Sequence, residues 1–545
     1  MKFSDISKFA KKVPRKGTGL YYDPLYGYVP LPDYLREAMD LDVFQRLQGI
    51  QQLSTVYLTF RGAVHTRFDH CVGTAYLASI LFNRLREFVD KSDTDAPKIN
   101  SILEASISLA ALFHDVGHGP FGHIFEMFCR RERKFKDWTH EKMAKKLITG
   151  QDETGNDIDK PSFVQIKTVL EKIRIRFSES EPDRENIALL KPMNIYNIAS
   201  GNPPDLDSPA LNNKYYFLKD IIASSYGLDR LDYLKRDAYF SGVNTGNIDI
   251  GEIISNLILK EYDNKYKLFL KIEGMPALET LLQARNLVYR RLYHNSVHRS
   301  AQELIIRGLG ALQCEPEKIC FLTDNEILTQ FSETPGLPSD ISNRVKFRVL
   351  YENIHLCPHL FIKDHKATLQ KYREKEGEWL VLKGLEDEIA KNAGMDKDSV
   401  FYDIEIIPAV KRADFTEEIF FDEIEGIPKN LFDLAPHLDM IYGDDHYDQG
   451  YSKAERFNES VSDIIVCFPY DKIEGDIEKL RTKVDADLEN GIDDLYKNKL
   501  EPLVKGFFSK ILKVTESDSG FFEKHEDYFS KMKKKCVKYL TALTH

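Results

Sequence analysis

The chain has 545 residues, of which 42% are hydrophobic and 11% aromatic, a composition that excludes a disordered or low-complexity protein and, at this length, fits about two to four domains. The net charge of −11 argues against a general nucleic-acid coat. No apolar run reaches the roughly 18 residues of a membrane span, Met1 leads to Lys2, Lys11, Lys12 and Arg15 without an apolar core, and the seven scattered cysteines form no CxxC pair, so the expectation is a reduced, cytoplasmic protein with no signal peptide, membrane association, zinc ribbon or disulfide framework.

Residues 1–18 read as a loosely held basic arm, and Asp23-Pro24-Leu25-Tyr26-Gly27 as a turn between strand-like residues. Leu35 to Leu58 reads as mostly helical, with Leu47, Ile50 and Leu53 on a core face and Gln45, Gln48 and Gln52 left polar. After a turn at Arg61-Gly62-Ala63, the run His65-Thr66-Arg67-Phe68-Asp69-His70 leads into a helix ending near Phe88, with Leu77, Leu81, Leu85 and Phe88 as its apolar stripe.

The densest chemistry lies at 111–126. The apolar helix Ile102 to Phe113 ends in His114 and Asp115, an imidazole and a carboxylate that can both reach one divalent cation from the end of a buried helix. His118 shares that face if the helix continues. Gly117, Gly119 and Pro120 break the helix and let the backbone approach a ligand. His123 and Glu126 follow at i,i+3 spacing and open another helix. A carboxylate one turn from an imidazole fixes its tautomer and raises its pKa, which suits a general acid. Six of the fifteen histidines fall between His65 and His140, which favours a site over separately satisfied core histidines.

Thr139 or Asp137 reads as the cap of a helix beginning near His140. Residues 150–215 are polar and read as an insertion of short helices and loops. On a helix, Asp229, Tyr233 and Asp237 line one side at i,i+4 spacing, with Leu228, Leu231 and Leu234 on an apolar face; Asp229 offers an acidic metal ligand. Leu281 to Arg299 reads as one amphipathic helix carrying Arg285, Arg290, Arg291, Tyr289, Tyr293, His294 and Arg299, and several guanidiniums on one helix suit phosphate oxygens. Beyond about residue 311 the character changes. Arg344 to Ile354, Glu378 to Leu382, Val400 to Ile407 and Asp463 to Phe468 read as strands, Tyr442 to His446 as a loop, and Ile473 to Leu512 and Glu523 to Leu543 as helical.

His70, His114-Asp115 and Asp229 match the H…HD…D pattern of the HD phosphohydrolase superfamily. With Phe44-Gln45-Arg46-Leu47, the run Gly62 to His70, the run His114 to His123, and Asp229-Arg230-Leu231-Asp232-Tyr233, the chain resembles the deoxynucleoside triphosphate triphosphohydrolases, which include the SAM-and-HD-domain enzyme and bacterial dGTPase-like proteins. The resemblance runs from about Asp23 to Arg299. It implies a mainly α fold. An HD-domain helical core would span 1–310, with 150–215 as the insertion, and a C-terminal α+β and helical region over 311–545 would be regulatory or oligomerising.

The resemblance further implies one divalent metal held by His70, His114, Asp115 and Asp229, its identity open among Mn, Fe, Mg, Zn, Co and Ni. His123 would protonate the departing 5′ oxygen, oriented by Glu126. Arg67, His118, His140, Arg230 and Arg285 would contact the triphosphate. Gln52, Tyr233 and Asp237 would sit at the sugar, with Leu53 crowding the 2′ position and Tyr293 near the base. The products would be deoxynucleoside and inorganic triphosphate. The alternative is an HD-type phosphodiesterase or nuclease acting on cyclic or single-stranded nucleic acid, against which the acidic charge and Leu53 speak.

Many relatives are homo-oligomers switched on by nucleotides at subunit interfaces, and the resemblance places Asp40 and Gln45 where such relatives bind an activating nucleotide. An arginine used there is Gln48 in this chain, so guanine-nucleotide activation is not expected, while another activator, or none, stays open. Restriction of phage or virus by dNTP depletion and housekeeping pool control both fit the resemblance.

Overall fold

The computed structural model describes residues 19–544 apart from 89–95, 133–134, 136, 182–184, 313–314, 357–378, 398, 408–419, 423–426, 431–433, 435–459, 470, 483–484 and 508–525. The basic arm at 1–18 and the loop expected at Tyr442 to His446 lie outside the described residues. The chain is mainly helical, as expected, with small sheets. No described helix is long and apolar enough to cross a membrane.

Strands β1 (Gly19–Asp23) and β2 (Gly27–Leu31) pair antiparallel around the expected turn. Asp23 Oδ1 accepts from Leu25 N at 2.7 Å and so closes it. The stretch expected as one helix from Leu35 to Leu58 is instead broken into Asp33–Met39, Asp42–Gln45 and two 3₁₀ turns, Arg46–Gly49 and Val56–Leu58. The reason is tertiary. Gln51 N–H bonds to Asp324 and Gln52 N–H to the His65 carbonyl, rather than to carbonyls four residues back. Leu47, Ile50 and Leu53 are buried as expected.

Helices α1 (Arg67–Phe88) and α2 (Ser101–Phe113) pack along each other at the centre. Leu77, Leu81 and Leu85 of α1 and Leu109, Leu112 and Phe113 of α2 are at most 1% exposed, and each such side chain contributes about 1.5–3 kcal/mol by burial. Asn100 caps α2 by accepting from Leu103 N. The chain turns after α2 into α3 (His123–Arg131) and then α4 (His140–Thr149), capped by Thr139 through Lys142 N.

The segment at 150–215, read from its polar composition as short helices and loops, is packed into the central core instead. It contains the twenty-residue helix α5 (Pro161–Ser180). Phe163, Ile166, Leu170 and Ile173 of α5 recur at helical spacing and are buried in the central core, with Leu189, Leu190, Ile195 and Ile198 behind them. The charged residues between them mask this stripe in a reading by composition.

Helix α6 (Leu228–Ser241) crosses α1 and buries Leu228, Leu231 and Leu234. After a hairpin of β3 (Leu257–Tyr262) and β4 (Lys265–Lys271) comes α7 (Met275–Val288). The single helix expected over Leu281 to Arg299 is interrupted: α7 gives way to a π-turn at Tyr289–Tyr293, and α8 (Ser296–Ala311) starts afresh under an Asn295 cap.

Helices α9 (Asp324–Glu333) and α10 (Leu337–Phe347) still belong to the central core through Ile327, Phe331, Ile341 and Val345. Arg344, expected in a strand, lies in α10, and strand β5 starts at Glu352 (Glu352–Leu356). Trp379 to Leu382, also expected as strand, opens α11 (Trp379–Asn392); a short apolar run does not distinguish the two by period. Strands β6 (Phe401–Ile407) and β9 (Ser460–Phe468) fall where expected and form a sheet in the order β5-β9-β6; the short strands β7 (Phe420–Asp422) and β8 (Ile427–Lys429) extend the β3-β4 hairpin. The expected helical stretches appear as α12 (Asp471–Arg481), α13 (Asp485–Leu495), α14 (Glu501–Gly506) and α15 (Glu526–Thr544). A second core runs from Ile389 to Leu540. Buried Arg307 of α8 is paired with Glu303 one turn back and with Glu386 of α11, joining the two cores.

Candidate active site

A cavity of about 540 Å³ opens where α1, α2, α3, α4, α6 and the π-turn converge. At its floor, the first turn of α1 supplies His70, the end of α2 supplies His114 and Asp115, and the first turn of α6 supplies Asp229. His70 Nε2 lies 3.1 Å from His114 Nε2 and 3.0 Å from Asp229 Oδ1. Asp229 Oδ1 is 3.5 Å from His114 Nε2, and the Asp115 carboxylate comes within 3.7 Å of His114 Nε2 and 4.0 Å of His70 Nε2.

Both imidazoles have their other nitrogen committed. His70 Nδ1–H donates to Asp232 Oδ2 at 2.8 Å, and His114 Nδ1–H to the Ala111 carbonyl at 2.8 Å. Asp232 is itself fully buried and is gripped by Arg236 Nε and Nη2 and by the Tyr26 hydroxyl. Gly73 of α1 permits this: a Cβ there would lie 2.2 Å from both Arg236 Nη2 and Asp232 Oδ1. With the Nδ1 protons fixed, two Nε2 lone pairs and a carboxylate face one point, and a cation is what relieves them. The donor set therefore fits a divalent metal, with an acceptor behind each of the two histidines as metal-binding histidines have. With no cation bound, burial disfavours a charged His70, but the hydrogen bonds to Asp229 and Asp232 overcome it and push its pKa up to about 10, so that a proton on Nε2 takes the place a cation would hold. Asp115 is held well below the carboxylate range: burial opposes this, and His118, His114 and Arg67 outweigh it.

Beside this floor stand three histidines. His118 and His140 stack at 4.0 Å with an interplanar angle of 12°, and His123 sits edge-on to both. His118 was expected to reach the site if α2 continued. The helix stops at Phe113, and His118 arrives by a turn, 3.3 Å from Asp115 Oδ1. Gly117 was expected to admit a ligand; it admits α4, since a Cβ there would lie 2.0 Å from the His140 carbonyl. Burial, Arg67 and His140 together depress the His118 pKa, so it stays neutral. Arg67 donates to Asp115 Oδ2 at 2.5 Å. Glu126 Oε2 accepts from His140 Nδ1 at 2.7 Å and lies 3.5 Å from His123 Nδ1, while Oε1 accepts from Arg130. Glu126 thus grips His140 more closely than His123. Burial raises the Glu126 pKa, but the bonds from His123 and His140 bring it far below the usual range.

At the opposite wall, Tyr233 and Asp237 of α6 face Tyr289 and Tyr293 of the π-turn. The extra residue in that turn brings both tyrosines, four positions apart, to the cavity. The Tyr293 hydroxyl donates to Asp237 Oδ2, and His65 Nε2 lies 2.8 Å from Asp237 Oδ1. Gln52 and Leu53 close this end from a loop in which Ser54 has a φ of 50°.

The structure brings together on the cavity wall or floor His70, His114, Asp115, Asp229, His118, His123, His140, Arg67, Gln52, Leu53, Tyr233, Asp237 and Tyr293. Glu126 stands one shell behind. Arg230, which donates to the Ser225 carbonyl, and Arg285, which lies over the Tyr289 ring, do not line the cavity. Neither do Asp40 and Gln45, whose Nε2 donates to the Met39 carbonyl and whose Oε1 accepts from Gln48. Sequence reasoning passed over Met127, Arg131, His298 and Gln302, which form a further wall. The signal for the first two was present: Met127 and Arg131 follow His123 at i+4 and i+8 on α3.

The HD domain family model matches residues 67–191, and the HD associated region model matches 248–419. An uncharacterized protein of Bacillus subtilis is 29% identical over 53% of this chain and 55% of its own length. The deoxynucleoside triphosphate triphosphohydrolase SAMHD1 of Danio rerio is 27% identical over 58% of this chain and 47% of its own. The chain thus spans about half the length of these curated relatives. A solved phosphohydrolase from Bacteroides thetaiotaomicron superposes with a TM-score of 0.54 at 20% identity, covering 83% of this chain and 100% of that one, a likeness of fold alone. His70, His114 and Asp115 of the H…HD…D donor set fall inside the HD domain match, so the chain carries an HD domain and is similar to HD-domain phosphohydrolases.

Proposed function

We propose that the protein hydrolyses deoxynucleoside triphosphates to deoxynucleoside and inorganic triphosphate. The observation that carries this reading is the single cavity with three different ends: metal donors at the floor, three imidazoles and Arg67 beside them, and Leu53, Asp237 and two tyrosines opposite. When bound at His70, His114, Asp115 and Asp229, a divalent cation supplies positive charge at the phosphoryl oxygens.

The chain's own groups do the rest. Arg67 and neutral His118 donate hydrogen bonds to phosphate oxygens. Asp237 accepts from a sugar hydroxyl, and Leu53 fills the space a 2′ hydroxyl needs. Water attacks the α-phosphorus, the bond from phosphorus to the 5′ oxygen breaks, and His123 delivers its proton to that oxygen. Glu126 holds His123 and His140 in place. A homo-oligomer and a nucleotide activator near Asp40 and Gln45 accompany this reading. So does a cytoplasmic setting, in which dNTP depletion serves pool control or antiviral defence.

The test is to incubate the protein with each dNTP, singly and in pairs, with Mn or Mg, and to separate the products. Deoxynucleoside plus triphosphate is the expected outcome, and turnover only in mixtures would identify the activator. Monophosphate plus pyrophosphate would contradict the assignment of His123, and digestion of single-stranded DNA without dNTP turnover would replace the reading with a nuclease.

A further inference from the structure

Two loops of the cavity are held in backbone conformations that L residues avoid. Ser54 has a φ of 50°, directly after Gln52 and Leu53. Phe121 and Gly122 have φ values of 57° and 56°, directly before His123. Such strain persists only where surrounding contacts over-determine it. The two loops touch: Ser54 Oγ donates to the Phe121 carbonyl at 2.6 Å.

The contact that fixes both comes from outside the HD domain match. Asp324, the first residue of α9, is 5% exposed. Its Oδ1 accepts from Phe121 N at 2.6 Å and its Oδ2 from Gln51 N at 2.9 Å. A helix N-terminal carboxylate ordinarily serves its own helix. Here the capping is done by Thr323 and Glu326, which satisfy each other's groups in a capping box. Asp324 is therefore not needed as a cap, and its two oxygens are spent on two loops of the cavity. Arg46 runs alongside and ties the Cys320 carbonyl before α9 to the His118 and Val116 carbonyls of the turn after α2.

We propose that Asp324 is a positioning residue for catalysis: by clamping Phe121 N and Gln51 N it sets the place of His123 relative to Gln52 and Leu53. The proposal rests on the reading of His123 as proton donor given above. Asparagine at 324 keeps the shape but offers one acceptor oxygen in place of two, so one loop is released. Neither loop carries a metal ligand, so the metal donors stay where they are.

The experiment is a double-mutant cycle on triphosphate release. Asp324→Asn is expected to lower kcat about 10- to 100-fold with little change in KM, the cost of misplacing a reacting group by a fraction of an ångström to an ångström. Its bound-metal content, measured directly, stays at the wild-type level. In a His123→Ala background the same substitution is expected to cost less than about twofold, because its effect passes through His123. A merely structural role would instead cost the same in both backgrounds, and that outcome would overturn the proposal. If Asp324→Asn does not fold, Ser54→Ala, which removes the other link between the loops, must show the same non-additivity. Wild-type kcat in the variants of an active enzyme would overturn this inference alone. Absence of triphosphate from the wild type would overturn it together with the functional reading.

Discussion

His70 and His114 point their Nε2 atoms at each other across 3.1 Å, while Asp232 and the Ala111 carbonyl hold the protons on their Nδ1 atoms. Such a pair is stable when a cation sits between it and Asp229. Metal binding should therefore stabilise the fold, by about 2.7 kcal/mol at a metal concentration 100-fold above Kd. A chelator should lower the melting temperature by a few degrees, and Mn should restore it. His114→Ala should abolish the difference. An unchanged melting curve with and without chelator would count against the metal site.

Asp232 carries no ligand role of its own but orients His70 and balances Arg236, whose side chain is fully buried. Asp232→Ala leaves that guanidinium with Asp23 alone. The expected cost is about 3–5 kcal/mol for a buried charge stripped of a partner, read by urea unfolding. Metal affinity should fall about 10- to 100-fold. A variant with wild-type stability would show that Asp23 suffices.

His114 and Asp115 stood out in the sequence because His-Asp at the end of an apolar helix is a local feature, and the shared face of Asp229, Tyr233 and Asp237 because i,i+4 spacing survives folding; that His70 and Asp229 meet the pair came from the resemblance, and the structure puts His70, His114 and Asp229 close enough to hold a cation. What was not legible came from long range. The break in the helix at Gln51 depends on Asp324, 273 residues away. The π-turn that aims Tyr289 and Tyr293 leaves no periodic mark. The burial of α5 was hidden because charged residues on its outer face dominated the composition. The triphosphate role expected for Arg230 rested on the resemblance, that of Arg285 also on its place in an arginine-rich stretch, and in this structure neither side chain lines the cavity.

Asp324 makes the stability of the fold sensitive to pH. Burial pushes its carboxyl up to about 7, against the pull of Gln51 and Phe121 N–H and of the Arg67 and Arg46 guanidiniums; Tyr57 also faces it. The unfolded carboxyl titrates near 3.9. Between about pH 4 and pH 7 the native state thus binds more protons than the unfolded one, and stability falls as pH rises through that window. Asp324→Asn should remove this part of the slope in unfolding experiments across the window. An unaltered slope would mean that other groups set it.

Leu53 is 6% exposed and stands beside Gln52 on the cavity wall, the end that the proposed function gives to the sugar. Leu53→Ala opens space for a 2′ hydroxyl. The ratio of kcat/KM for a ribonucleoside triphosphate to that for its deoxy counterpart should rise by about tenfold or more. A ratio unmoved by the substitution would place the sugar elsewhere.

In the proposed reaction water attacks the α-phosphorus and the bond to the 5′ oxygen breaks. Hydrolysis of a dNTP in water enriched in heavy oxygen, followed by mass spectrometry of each product, tests it most directly. One heavy oxygen is expected in the released triphosphate and none in the deoxynucleoside. Label in the deoxynucleoside, or in a monophosphate or pyrophosphate product, would contradict it.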